Sequence, residues 1–79
     1  MIVEFYTPGR RLLLSRQQEA LPVENQRILW RKRSGLEHYY RVAYVEWPLE
    51  EPPAGQQYYS PTDAAKVVVR VWLREEEHA

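Results

Sequence analysis

Hydrophobic and polar positions alternate with a period of two along much of the chain, which is the pattern of strands. Over residues 2–6, Val3 and Phe5 share one face while Ile2, Glu4 and Tyr6 share the other. Thr7-Pro8-Gly9-Arg10 then breaks the chain, because proline fixes φ and glycine admits the positive φ of a tight turn. Beyond it two readings compete. Leu12 and Leu14 suit a strand returning against Val3 and Phe5. Arg10–Leu21 is also rich in helix formers, with Thr7 as a cap, Pro8 at the first helical position and Pro22 as a stop. Gly9 costs a helix about 1 kcal/mol. The pattern is therefore read as a strand to Leu14 followed by a short helix near 15–21, capped by Ser15 with Gln18 reaching back to its N–H.

Arg27–Arg33 and Glu37–Trp47 flank Ser34-Gly35, a pair suited to a two-residue hairpin turn. Simple alternation puts Ile28 and Trp30 on one face of the first strand and Leu29, Arg31 and Arg33 on the other. In the second strand it groups Tyr40, Val42 and Tyr44 against Tyr39, Arg41, Ala43, Val45 and Trp47. Pairing symmetrically about the turn sets Arg33 opposite Leu36 and Trp30 opposite Tyr39. Residues 48–61 hold four of the six prolines and read as a loop, with polyproline character at Pro52-Pro53. Ser60-Pro61-Thr62-Asp63 resembles a helix start, giving one turn at 61–65. After it, Val67, Val69, Val71 and Leu73 alternate with Lys66, Val68, Arg70, Trp72 and Arg74. A helix here would be apolar on every side, so the segment is read as a strand.

These elements predict a mainly β chain, or a small β-rich α+β one. About five mostly antiparallel strands form one sheet or a small barrel, with at most one short helix. Residues 1–79 make one domain, with a Pro-rich loop at 48–61 and an acidic tail at 75–79. The length of 79 residues allows a single core, and a chain this size buries only about 60% of its unfolded surface, which favours self-association. Hydrophobic residues at 44% and aromatics at 13% argue against disorder. Cysteine is absent, which excludes disulfides, a thiolate nucleophile and cysteine metal sites, and fits a cytoplasmic location. No apolar stretch approaches the ~20 residues of a membrane span, and Met1–Tyr6 lacks the basic start and apolar core of a signal peptide.

The formal charge is zero, but it is unevenly spread. Residues 1–47 carry eight basic and five acidic side chains, and residues 48–79 carry three and six. The acidic pole is Glu75-Glu76-Glu77. Such a dipole steers a partner, or is neutralised internally or by a second copy.

Candidate chemistry is sparse. His38 and His78 do not have the spacing of a metal site. Three serines, two threonines and the single Asp63 form no nucleophile elbow, and three glycines form no phosphate loop or dinucleotide fingerprint. Glu46, Glu50 and Glu51 cluster around Trp47-Pro48, but loop carboxylates stay exposed. With no convergent set of groups, no enzyme activity, no cofactor and no metal is expected.

Two binding surfaces remain. Val68, Arg70 and Trp72 lie on the amphipathic face of the last strand, leaving apolar surface for a protein partner or a second copy; a protein-interaction module, most simply a homodimer, is the leading expectation. The alternative is single-stranded RNA binding on the hairpin, where Trp30, Arg31, Lys32 and Arg33 meet Tyr39 and Arg41. Rings suit base stacking there and cations suit phosphates. Aromatics are also ordinary strand residues, and adjacent Trp30 and Arg31 point to opposite faces. Tyr40–Tyr44 and Lys66–Arg74 resemble sheet strands of the ribosome-dependent RNase toxins of toxin–antitoxin pairs. That resemblance covers about a third of the chain, carries no specific motif and leaves no room for that family's two helices.

Overall fold

The structure is a computed structural model and describes residues 1–51, 54–55 and 67–76. Five strands form one curled, mixed sheet, a half-barrel, and no helix occurs among the described residues. They are β1 (Ile2–Tyr6), β2 (Leu12–Gln17), β3 (Arg27–Arg31), β4 (Glu37–Glu46) and β5 (Val68–Glu75), in the spatial order β2-β1-β5-β4-β3. The pairs β1–β2, β4–β5 and β3–β4 are antiparallel, whereas β1 and β5 run parallel.

The expected short helix at 15–21 does not form. Ser15, Arg16 and Gln17 continue β2 opposite Glu4, Val3 and Ile2, and the ladder runs on through Gln18 N–H to the Met1 carbonyl at 3.0 Å. Helix propensities differ by only tenths of a kcal/mol per residue, and a ready row of partners on β1 outweighs them. The turn expected at 61–65 lies outside the described residues, as do 52–53 and 56–61 of the Pro-rich loop and 77–79 of the acidic tail.

The hairpin forms with a longer turn than expected. Gly35 N–H donates to the Lys32 carbonyl at 3.0 Å and Lys32 N–H to the Leu36 carbonyl at 2.8 Å, so Arg33-Ser34-Gly35 make a three-residue loop. Gly35 takes the left-handed conformation that such a loop requires, with φ 92°. The register consequently sets Trp30 opposite His38 and Leu29 opposite Tyr39, correcting the expected Trp30–Tyr39 pair. One residue of slip exchanges faces, so Tyr39 leaves the side on which Trp30 lies.

A second correction comes from a bulge between Val42 and Tyr44, where Ala43 is the extra residue. Tyr44 therefore pairs with Trp72 and Val45 with Val71, which reverses the faces that simple alternation gives them. β2 carries its own irregularity at Leu13, between the pairs Phe5–Leu14 and Tyr6–Leu12.

The inner face of the curl holds the core. Val3, Phe5, Tyr40, Val42, Val71 and Leu73 are buried and in contact, and Met1, Leu13, Leu21, Ile28, Trp30 and Val45 pack around them. No buried polar or charged residue occurs among those described. Removing this apolar area from water is the main favourable term, at about 25 cal/mol per Å².

Candidate interaction surfaces

The outer face of the sheet carries polar and aromatic side chains in rows that cross the strands, while on the inner face His38, beside Tyr40, pairs with Glu75 at 2.7 Å. In the first row, Arg70 on the central β5 lies between Glu4 of β1 and Glu46 of β4, with nitrogen–oxygen distances of 3.5 and 3.4 Å. The Glu46 hydrogen bond leads the influences that hold the Arg70 guanidinium above its ordinary value, against the desolvation that opposes them. Tyr6 hydroxyl donates to Glu4 at 3.1 Å. Its phenol is pushed up by burial first and by that hydrogen bond second.

The second row is aromatic. Trp72 stacks on Tyr6 with ring centroids 4.5 Å apart and on Tyr44 at 6.0 Å, and the Arg10 guanidinium sits 4.8 Å from the Trp72 ring. Such aromatic pairs contribute about 0.5–1.5 kcal/mol each beyond their buried area. Trp72 Nε1 and Arg70 Nε are buried without hydrogen-bond partners among the described residues.

The third row is cationic. Arg27 of β3 stands opposite Arg41 of β4, which stands opposite Arg74 of β5. Like charges directly opposed across strands destabilise a sheet, so this row needs counter-groups. Glu76, just past β5, supplies one carboxylate to two of them, 3.0 Å from Arg27 and 3.0 Å from Arg41. Burial works hardest against its charge, but hydrogen bonds and charge from the two arginines together prevail and hold the Glu76 carboxyl below the usual range. Asn25, in a left-handed conformation with φ 68°, accepts from Arg41 through its carbonyl at 3.0 Å and from Arg74 through its side-chain oxygen. Arg27 also lies over the Tyr39 ring at 4.0 Å. Beside this row Glu24, Asn25, Val42, Ala43 and Arg74 line a groove of about 400 Å³, adjoining the β4 bulge.

The sequence-derived candidates divide accordingly. Val68, Arg70 and Trp72 do share the outer face of β5, but Trp72 is flanked by two rings and a guanidinium rather than left as open apolar surface. Of the hairpin set, Arg31, Tyr39 and Arg41 lie on the outer face, with Arg31 3.5 Å from Glu37. Lys32 and Arg33 lie in the exposed turn. Trp30 packs with the core instead and leaves that set. Arg27, Arg74 and Glu76 cannot be grouped from the sequence, because nothing but the strand order brings them together.

The outer edge of β2, which no strand among the described residues covers, is a further exposed feature. All its residues except Leu13 are exposed, including Leu12 at 53% and Leu14 at 37%. Hydrogen-bonding pairs alternate along an antiparallel ladder. Since Met1 and Gln18 are joined through their backbones, Leu14 and Arg16 face β1, while Ser15 and Gln17 aim their N–H and C=O groups away from it.

Among the described residues no three His, Asp or Glu side chains gather as a metal site, and no helix is long and apolar enough to cross a membrane. No protein-family model matches the chain, and neither a curated protein nor a solved structure matches it.

Proposed function

We propose that the protein is a non-catalytic interaction module that pairs with a second copy of itself through the edge strand β2. The observation that carries this reading is the exposed, leucine-bearing edge, with outward backbone groups at Ser15 and Gln17. Among the described residues no strand pairs with this outer edge, and an edge of this kind is a template for another strand. A two-fold antiparallel pairing centred on Ser15 sets Leu14 against Arg16 of the second copy and meets no like charge directly. The opposite edge, β3, bears Arg27 and Arg31 and leads into Lys32 and Arg33, so two copies joined there would repel. A closed two-fold contact is the commonest form of self-association, and a chain this small gains most from the added burial. Engagement of the outer-face carboxylates by arginines supports a binding role rather than a reactive one.

Light scattering on a size-exclusion column tests this. The expected mass is twice the 9.5 kDa of the chain. Ser15→Pro removes an outward N–H without touching the β1 ladder, and the double change Leu12→Lys, Leu14→Lys charges the edge. Both should return the monomer with the circular dichroism of the parent. A parent that elutes as a monomer at high micromolar concentration overturns the proposal, and so does a dimer that survives both changes.

A further inference from the structure

The cationic row is larger than its internal counter-ion. Arg27, Arg41 and Arg74 occupy one transverse line over three adjacent strands, and Glu76 gives them one carboxylate. Asn25 adds neutral acceptors only. Among the described residues Glu76 is the carboxylate paired with the row, and Glu24 lines the groove beside Arg74, so the three arginines outnumber the acids paired with them on a surface where Arg27 is more than half exposed and the Glu76 side chain is 10% exposed. The cationic surface continues along β3 to Arg31 and into Lys32 and Arg33 of the turn, with Glu37 paired to Arg31 as the opposing acid. Tyr39 lies within this track, its ring against Arg27.

We infer that this face binds a single-stranded nucleic acid through its phosphates, and that Glu76 occupies the central position as an internal competitor. Three features favour an extended polyanion over a compact ion. Strands lie about 4.8 Å apart, so the three arginines span about 10 Å in a line. The track then turns along β3 rather than closing into a pocket. Arginine presents a planar fork that suits phosphate oxygens, and a ring beside it offers a stacking surface to a base. Glu76 holds Arg27 and Arg41 in place when the site is empty and must be displaced, or joined by a counter-ion, when a phosphate enters. The inference is independent of β2 pairing, since the row and the β2 edge lie on opposite sides of the sheet order.

The test is a fluorescence-anisotropy titration of a labelled mixed-sequence single-stranded RNA with the full chain, at several salt concentrations. Glu76→Gln should tighten binding several-fold, because it removes the competing charge while retaining side-chain size. Replacing Arg27 and Arg41 by Gln should weaken binding and flatten the slope of log K against log salt by about 0.7 for each phosphate no longer neutralised. Arg74→Gln alone, which leaves the Glu76 pairs in place, should do the same on a smaller scale and guards against misfolding of the double variant. Circular dichroism on each variant checks the fold. Absence of binding by both the parent and Glu76→Gln overturns the inference. So does binding indifferent to Arg27, Arg41 and Arg74, or a glutamate-rich peptide that displaces the RNA at lower concentration than RNA itself; the last result would assign the row to acidic protein segments.

Discussion

Trp72 lies directly opposite Tyr44, and the two are brought together by a single extra residue, Ala43. Without that bulge Tyr44 would enter the core and Val45 would face out. Because Trp72 is clasped by Tyr6, Tyr44 and Arg10, replacing it by alanine should act on stability. The two ring pairs alone are worth about 1–3 kcal/mol. Urea denaturation of Trp72→Ala should show a midpoint well below the parent's, while the oligomer mass of the folded fraction stays unchanged. An undiminished midpoint would mean the stacked row contributes nothing to the fold.

Removing one core side chain should cost more than removing an exposed one of the same kind. Leu73 is buried in the central strand, whereas Leu49 stands exposed after β4. Leu73→Ala is expected to lose about 2–5 kcal/mol. Leu49→Ala should stay within about 0.5 kcal/mol of the parent. Equilibrium denaturation of the pair checks the assignment of the inner face.

Gly35→Ala isolates a backbone effect. A methyl group there would touch nothing within 4 Å, so no clash arises, yet the residue sits at φ 92°. Alanine is disfavoured by about 1–2 kcal/mol in that left-handed region. Thermal unfolding should fall accordingly, and Gly35→Asn should recover part of the loss. Equal stability of parent and Gly35→Ala would contradict the three-residue turn.

Acid should act through Glu76. Its folded carboxyl binds a proton more weakly than the unfolded one, since Arg27 and Arg41 stabilise the charge. The contribution is therefore fully present above the ordinary carboxylate range and is lost as pH falls through the depressed value. A stability profile for Glu76→Gln should consequently run below the parent near neutral pH and converge with it in acid. Parallel profiles would show that the carboxylate is not engaged in solution.

At the alkaline end Tyr6 and Tyr40 should titrate late. Burial raises the Tyr40 phenol first and the nearby Glu75 charge second, and Tyr6 is raised by burial and by Glu4. Both ionise after the ordinary value near 10, so the folded chain retains these protons longer than the unfolded chain and its stability falls as pH climbs past that value. Ultraviolet absorbance against pH should show a late component that vanishes in Tyr6→Phe, Tyr40→Phe.

Much of the fold is legible in side-chain alternation alone. Val3 and Phe5, and Val69, Val71 and Leu73, fall on the inner face that their period-two spacing assigns. What alternation does not encode is the insertion of one residue. The Ala43 bulge and the three-residue turn at Arg33-Ser34-Gly35 each shift the count by one, and with it the faces of Tyr44, Val45 and Tyr39. The helix expected at 15–21 fails for a different reason. Its local preferences are genuine but weak, and the ladder offered by the preceding strand at Ile2–Glu4 outweighs them. Distance along the chain hides the arginine row, whose members come from three strands and whose counter-ion follows the last of them.

β5 lies between β1 and β4, and no pairing joins those two directly. Each flanking hairpin closes through neighbours in sequence and forms on a microsecond scale. The union of the two halves, by contrast, waits for Val68 to find Ile2 across nearly the whole described chain. An isolated two-stranded hairpin is marginal in water. During synthesis, therefore, the chain holds two unstable halves with open edges until its central strand is made, and that interval is when strand exchange between neighbouring chains competes best with correct assembly.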